Sequence, residues 1–289
     1  MIGGISKPSF YRVINAVADA INKCPHLQCS FPADDHGPGG KLQQIALDFS
    51  AKSTEGVMRG CVGAIDGYLL LTSCPSLSEV DSVHHYFSGH YYHYGLNIQA
   101  LVDAKCRFME VHVAAPGAAS DSFALSECKG LVDKIESLPF SWFIVGDNAY
   151  TQSEHLVVPF FGDNRETPRN DAFNFHLSQL RIKVEQGFGL LTSKFHILRR
   201  PISMKLKNVS PFFLALTKIH NFCIDERTPT DSEPSQVMYT FQGNQMLYVP
   251  SDIRHFKVPG ISLLREHLVQ RIEKRTLSRP GTNRSRNRK

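Results

Sequence analysis

Two apolar segments of the sequence carry an acidic residue next to a glycine. Val62–Gly67 reads VGAIDG and Trp142–Asp147 reads WFIVGD, and the apolar residues in both are typical of a buried strand. A single Asp at the end of a strand is common in turns and by itself indicates little. If the two strands end at the same edge of a sheet, the Asp66 and Asp147 carboxylates lie close together. Their like charges repel, which is unfavourable unless a cation lies between them.

Carboxylate oxygens are ligands that Mg²⁺ and Mn²⁺ prefer. Two such ions about 4 Å apart are a known device for in-line attack on a phosphodiester. A third carboxylate is available from Glu185, in the helical-looking segment Leu177–Phe195. Arg181 precedes Glu185 by one helical turn, so the helical pattern alone favours an ion pair on the surface.

Six blocks between Gly60 and Ile224 follow one another in the order of a known family. They read GAIDG, YFSGHYYHYGLNIQALVDA, VAAPGAASDS, FIVGDNAY, NFHLSQLRIKVEQGFGLLTSKFHILRRPI and KIHNFC. Together they resemble the PIF/Harbinger group of DDE transposases and the nucleases derived from them. By position, the acidic triad of that family falls on Asp66, Asp147 and Glu185.

This resemblance implies a fold, an activity and a cofactor. The expected fold is α/β, an RNase H-like mixed five-stranded sheet flanked by helices, with a short helical N-terminal segment. The expected activity is metal-dependent endonuclease cleavage of DNA, with Asp66, Asp147 and Glu185 as catalytic residues and as ligands of Mg²⁺ or Mn²⁺. Implied partners are DNA and a separate Myb-like DNA-binding protein. The chain departs from the family at Tyr68, where a small hydroxyl residue is common, and at Ser120, where His is common.

Composition and charge are those of a globular protein with a basic end. Of the 289 residues, 42% are hydrophobic and 20% are charged, which argues against general disorder. The net charge is +5, but residues 271–289 contain eight Lys/Arg and one Glu, so the rest of the chain sums to −2. A basic segment of this kind adds nonspecific affinity for nucleic acid.

The cysteine count and the hydropathy indicate where the protein works. Seven cysteines without a CxxC pair indicate reduced, intracellular thiols. The sequence has no signal-peptide pattern and no apolar run near 18 residues, so no membrane span is expected. The expected location is the nucleus, which follows from the implied activity and the basic end. The expected domains are a helical segment 1–59, a catalytic core 60–226, a loop and helix 227–277 and a basic tail 278–289.

Several flanking elements have more than one interpretation. The helix expected over Ile5–Asn22 is either a structural helix on the core or the end of a helix-turn-helix that contacts DNA. Val83–Gly95 is rich in His and Tyr, and a hairpin that contacts nucleic acid is favoured over a zinc site. Tyr94–Asp103 and Phe108–Val113 predict two strands that form an antiparallel meander with the Asp66 strand. Asp121 either caps the helix expected over Ser122–Glu136 or assists the acidic site.

Two other functions compete with a nuclease. The first is a transposase-derived protein that has lost catalysis and serves as a DNA- or protein-binding module, since the same fold can carry different functions. The second is a glycosidase with paired carboxylates, which would need neither a third acid nor a metal. Dependence on a divalent metal separates a nuclease from an ordinary glycosidase.

Overall fold

The computed structural model describes residues 4, 6–37, 39–165, 167–226 and 262–280. Within these ranges it contains one mixed sheet of six strands. The strands are β1 (Cys61–Leu71), β2 (Phe87–Ser88), β3 (His93–Val102), β4 (Phe108–Pro116), β5 (Phe143–Val145) and β6 (Leu156–Val157). The α-helices are α1 (Lys7–Lys23), α2 (Lys41–Ser50), α3 (Asp121–Glu127), α4 (Lys129–Glu136), α5 (Pro168–Lys194), α6 (Leu206–Asp225) and α7 (Leu263–Lys274).

The sheet joins an antiparallel half to a parallel half at β1. The strand order is β2-β3-β1-β5-β6, and β4 also pairs with β3. β1, β2 and β4 run antiparallel to β3, as the expected meander requires, whereas β5 runs parallel to β1 and β6 parallel to β5. The mixed α/β class is therefore confirmed. The expectation of five strands was one too few, because the two-residue strand β6 is too short to produce a hydrophobic pattern.

Helices cover both faces of the sheet. One hydrophobic cluster joins β1 and β3 to α5, α6 and α7 through residues such as Leu180, Phe213 and Leu268. A second cluster joins the opposite face to α3 and α4, with Leu125 and Leu131 among its members. This double coverage explains why the central strands are apolar on both faces.

The structure corrects the position of Asp66 within its strand. The sequence predicts an apolar run that ends at Asp66, a tight exit at Gly67 and a further strand-like run over Tyr68–Thr72. The structure joins both runs in one strand, because β1 continues to Leu71 with an unbroken antiparallel pairing to β3. Asp66 therefore lies in the middle of a long central strand. Its side chain shares a face with Ala64 and Tyr68, because side chains alternate along a strand.

The helix expected over Ser122–Glu136 is two helices, and its cap is not Asp121. Cys128 separates α3 from α4 with a ψ of 57°, outside the helical range. The Ser120 hydroxyl accepts a hydrogen bond from the Phe123 backbone N–H at 3.3 Å and caps α3. Asp121 is the first residue of the helix, so its carboxylate is available for other contacts.

The terminal helices dock on the core. Ser6 caps α1, as the sequence predicts. The Asn22 amide donates to the Pro211 carbonyl at 2.8 Å, and the Lys218 ammonium donates to the Asn22 carbonyl at 2.8 Å. These contacts hold α1 against α6, as the structural-helix interpretation requires. The helix expected over Ile261–Leu277 is present as α7.

Some sequence predictions fall wholly or partly outside the described residues. These are the polar loop expected over 228–243 and, apart from residues 278–280, the basic tail. All seven cysteines are described and are free thiols. Across the described ranges, none of the helices combines the length and the apolar character that a membrane span needs.

Candidate functional site

Asp66 lies on β1, and Asp147 lies two residues beyond the end of the neighbouring parallel strand β5. Ala64 pairs with Val145 in the β1–β5 register, and each aspartate follows its paired residue by two positions. Alternation along β1 places the Asp66 side chain on the sheet face that α5 covers. The Asp147 carboxylate accepts a hydrogen bond from the Ala149 backbone N–H at 2.8 Å, which orients it at the end of β5.

The pKa of Asp66 is raised from 3.8 to about 7. Burial is the main cause, because it disfavours the charged carboxylate, and the negative charge of Asp147 is the next. The Arg181 guanidinium and the Gly67 backbone N–H, which donates to Asp66 Oδ1 at 2.9 Å, act in the opposite direction. The electrostatics thus place Asp147 and Arg181 close to the Asp66 carboxylate.

The Arg181 side chain links Glu185 to the region around Asp66. The Arg181 guanidinium lies 2.6 Å from the Glu185 carboxylate, as the helical spacing allows, and 46% of the Glu185 side chain is exposed. Arg181 therefore forms an ion pair with Glu185 and also interacts electrostatically with Asp66. The structure brings Asp66 and Asp147 together and leaves Glu185 paired with an arginine.

In the described part of the chain, the acidic pair does not belong to a larger cluster of metal-binding side chains. Among the described residues, no group of three or more His, Cys, Asp or Glu side chains could hold an ion. This includes His84, His85, His90 and His93; His84 and His85 lie before β2, and their rings meet edge-on with centroids 4.3 Å apart. The donor chemistry of Asp66 and Asp147 nevertheless suits a divalent cation, because a positive ion would offset the repulsion that raises the Asp66 pKa.

Asp121 is a further acidic residue beside the pair. Its negative charge also raises the pKa of Asp66. A Cβ built on Gly67 would lie only 1.9 Å from Asp121 Oδ1, so this carboxylate is packed against the backbone of the residue after Asp66. The sequence offers only a weak signal for this contact, namely the glycine directly after Asp66.

The hairpin between β2 and β3 places Tyr91 near the same acids. Burial raises the pKa of the Tyr91 phenol, and the charges of Asp121, Asp66 and Asp147 raise it further. Half of the Tyr91 surface is exposed, and the neighbouring Tyr92 is 76% exposed with a φ of 56°. The hairpin expected from the sequence therefore presents aromatic side chains at the edge of the acidic site.

The mixed sheet, its helices and the aspartates at adjacent parallel strands define an RNase H-like α/β core. A family profile described as DDE superfamily endonuclease matches residues 65–221, more than half of the chain. The chain belongs to this family. The match spans Asp66, Asp147 and Glu185, and the resemblance to transposases and transposase-derived nucleases is confirmed.

The chain is also similar to a curated protein. Protein ALP1-like from Arabidopsis thaliana is 25% identical over 209 residues, which cover 67% of this chain and 50% of the relative. The chain thus spans about half the length of that relative. No solved structure matches the chain at a significant level.

Proposed function

We propose that the protein is a divalent-metal-dependent DNA endonuclease of the transposase type, with Asp66, Asp147 and Glu185 as its acidic residues. The observation that carries this proposal is the Asp66–Asp147 pair, in which burial and mutual repulsion raise the pKa of Asp66 to about 7. Neighbouring carboxylates repel each other, and Arg181 offsets only part of this repulsion, because the pKa of Asp66 stays raised; the pair therefore favours a further positive charge. Mg²⁺ or Mn²⁺ would supply that charge.

Each protein residue has a distinct role in this proposal. A bound divalent ion lowers the pKa of a water molecule or 3′ hydroxyl and stabilises the leaving oxygen of a phosphodiester. Asp66 and Asp147 provide oxygen ligands from the rigid sheet, and Glu185 provides a further ligand from α5. Arg181 offers a cation that pairs with Glu185 in the absence of metal. The guanidinium fork also fits a phosphate group of the DNA.

DNA binding requires basic side chains, and the chain has a group of them at the end of the helix that carries Glu185. Lys194, His196, Arg199 and Arg200 follow one another at and beyond the C-terminal end of α5. Lysine and arginine side chains in such positions neutralise backbone phosphates. DNA as substrate, a nuclear location and a Myb-like partner protein belong to the same proposal.

The test is Mn²⁺ binding by calorimetry together with cleavage of duplex DNA. The variants are Asp66→Ala, Asp147→Ala and Glu185→Ala, and the control is Asp133→Ala, which removes an exposed acid on α4. Loss of Mn²⁺ binding in both aspartate variants, with cleavage lost in all three and unchanged in the control, supports the proposal. If the wild type neither binds Mn²⁺ nor cuts DNA in its presence, the enzymatic proposal fails.

A non-catalytic binding module is the second candidate. The observation in its favour is the Arg181–Glu185 ion pair, which occupies the carboxylate that a second metal ion would need. The same assay separates the two candidates. Tight DNA binding without cleavage, unchanged by Glu185→Ala, would identify a binding module.

A further inference from the structure

Asp121 occupies the space that a side chain at position 67 would fill. The carboxyl carbon of Asp121 lies 2.5 Å from a Cβ built on Gly67, and Oδ1 lies 1.9 Å from it. The Asp121 carboxylate therefore lies flat against β1, directly after Asp66. This close approach needs a glycine, because any other residue would displace the carboxylate.

Two buried amides hold the Asp121 carboxylate in place. Asn97 Nδ2 donates to Asp121 Oδ1 at 2.9 Å, and Gln99 Nε2 donates to the same oxygen at 3.2 Å. Gln99 is fully buried and Asn97 is 7% exposed. The Gln99 amide also donates to Asn97 Oδ1 at 2.8 Å, so the two amides orient each other. Buried polar groups that are satisfied in this way are held rigidly.

The same network extends to the segment that carries Asp147. The Tyr150 hydroxyl donates to Gln99 Oε1 at 2.7 Å. Tyr150 is 1% exposed and follows Asp147 by three residues. Gln99 is the β3 partner of Gly67 in the antiparallel register. A continuous chain of hydrogen bonds and packing therefore runs from the Asp66 strand, through Asp121 and Gln99, to the Asp147 segment.

We propose that Asp121 is the positioning residue of the acidic site and that its network with Asn97, Gln99 and Tyr150 sets the spacing between Asp66 and Asp147. This inference deepens the proposed function and rests on it for its relevance to catalysis. The positioning itself is a property of the protein without metal. The positioning role can therefore be measured on the metal-free protein, separately from metal binding and DNA cleavage.

The experiment compares Asp121→Ala, Asp121→Asn and Tyr150→Phe with the wild type. The control is Glu127→Gln, which removes an exposed acid from the same helix. Amide hydrogen exchange of the metal-free protein is followed in residues 66–67 and 147–150, and Mn²⁺ affinity is measured by calorimetry. Asp121→Asn keeps an oxygen acceptor for the two amides but lacks the charge. Tyr150→Phe removes one hydroxyl and keeps the ring.

We expect Asp121→Ala to exchange about tenfold faster in both segments, because both lose a shared support. We expect Asp121→Asn to restore most of the protection. Mn²⁺ affinity should fall about 10- to 100-fold in Asp121→Ala, the usual effect of losing a group that orients metal ligands. Tyr150→Phe should speed exchange in residues 147–150, and Glu127→Gln should behave as the wild type.

The possible outcomes distinguish the two proposals. Unchanged exchange in both segments of Asp121→Ala overturns the positioning role, whatever the metal affinity. Faster exchange throughout the protein, including α6, also overturns it, because the residue would then be merely structural. If Asp121→Ala does not fold, Tyr150→Phe and Asp121→Asn decide the question by the same measurement. If the wild type binds no Mn²⁺, the nuclease proposal fails, and the exchange data still decide the positioning role.

Discussion

At the scale of single residues, the raised pKa of Asp66 makes the stability of the metal-free protein depend on pH. The folded pKa of about 7 lies above the ordinary 3.8, so the folded state holds this proton more tightly. The associated stability is complete below about pH 4 and is lost as the pH rises through about 7. Relative to Asp66→Asn, the wild type should lose about 2–3 kcal/mol of unfolding free energy between pH 5 and pH 8.

Urea unfolding of both proteins at several pH values, with a chelator present, measures this difference. Other titrating groups, such as His220 with its pKa lowered by burial to about 4, contribute equally to both proteins and cancel. A constant difference between the two proteins across this range would show that Asp66 titrates normally. Saturating Mn²⁺ should favour the ionised wild type and reverse the trend.

Gly67 should be the least replaceable glycine of the site. In Gly67→Ala the new methyl group would overlap the Asp121 carboxylate, which two amides hold in place. We expect a loss of about 1–3 kcal/mol of stability, typical of overpacking. The control is Gly189→Ala on α5, where a Cβ meets nothing within 4 Å. Alanine there should stabilise the helix by up to about 1 kcal/mol. Equal melting temperatures for the two variants would contradict the close contact.

Sequence reasoning selects Asp66, Asp147 and Glu185 as candidate site residues and leaves two interpretations for Asp121, a helix cap or a support of the acidic site. Asp66, Asp147 and Glu185 stand out because apolar strand and helix patterns surround them. Asp121 follows Ser120 at the start of a helix, and both are favoured caps, so local chemistry does not reveal which one caps. Its contact with Gly67 depends on how α3 packs across the sheet, which no local pattern contains.

At the scale of elements, the C-terminal part of α6 forms hydrogen bonds with the start of strand β4. The Phe108 N–H donates to Asn221 Oδ1 at 2.8 Å, and Asn221 Nδ2 donates to the Phe108 carbonyl at 2.7 Å. The neighbouring His220 donates from Nε2 to the Cys106 carbonyl at 2.9 Å. The KIHNFC block therefore satisfies backbone groups where β4 begins, after the bulge that shifts its pairing with β3.

Asn221→Ala should cost about 2–4 kcal/mol, because it leaves two buried backbone groups without a partner. The matched control is Phe222→Ala, at the next position, where 49% of the residue is exposed. That variant should lose less than about 1 kcal/mol. Chemical unfolding of both variants measures the costs. A loss at position 221 no greater than at position 222 would mean that the two hydrogen bonds add little.

The prediction of elements succeeded where a pattern was long and failed where it was short. The helices α1, α5, α6 and α7 each have an apolar stripe over several turns, and their existence follows from it. The apolar run of Trp142–Asp147 predicts β5, whereas β2 and β6 have two residues each, which is too few for a period. The extension of β1 beyond Asp66 depends on its pairing with β3, which overrides the local preference of Asp-Gly for a turn.

At the scale of the whole molecule, one helix from the end of the chain completes the core. α7 contributes Leu268 and Ile272 to the cluster beneath the sheet, and Arg169 on α5 forms ion pairs with Glu266 and Glu273. The Arg271 guanidinium donates to the carbonyls of Val57 and Arg59, next to β1. The C-terminal helix thus supports both α5 and the start of the strand that carries Asp66.

The charge at the end of the chain gives a prediction for DNA binding by the whole protein. Residues 281–289 contain three arginines and one lysine and no acid. Each cation that neutralises a phosphate contributes about 0.9 to the slope of log affinity against log salt. Changing all four to Gln should therefore reduce the magnitude of that slope by up to about 4 on duplex DNA of arbitrary sequence. The four residues are Arg284, Arg286, Arg288 and Lys289.

Fluorescence anisotropy between 50 and 200 mM salt, the interval over which such contacts lose most of their affinity, measures this slope. A control with the same change in net charge replaces four exposed lysines far apart in the sequence. They are Lys23, Lys41, Lys52 and Lys129. If binding follows net charge alone, the magnitude of the salt slope should fall by the same amount in both variants. The four basic residues of the tail would then have no special role. A loss confined to the tail variant, with an unchanged melting temperature, would show that the tail contacts phosphates directly. In that case the folded core and the basic end contribute separately to the affinity for DNA.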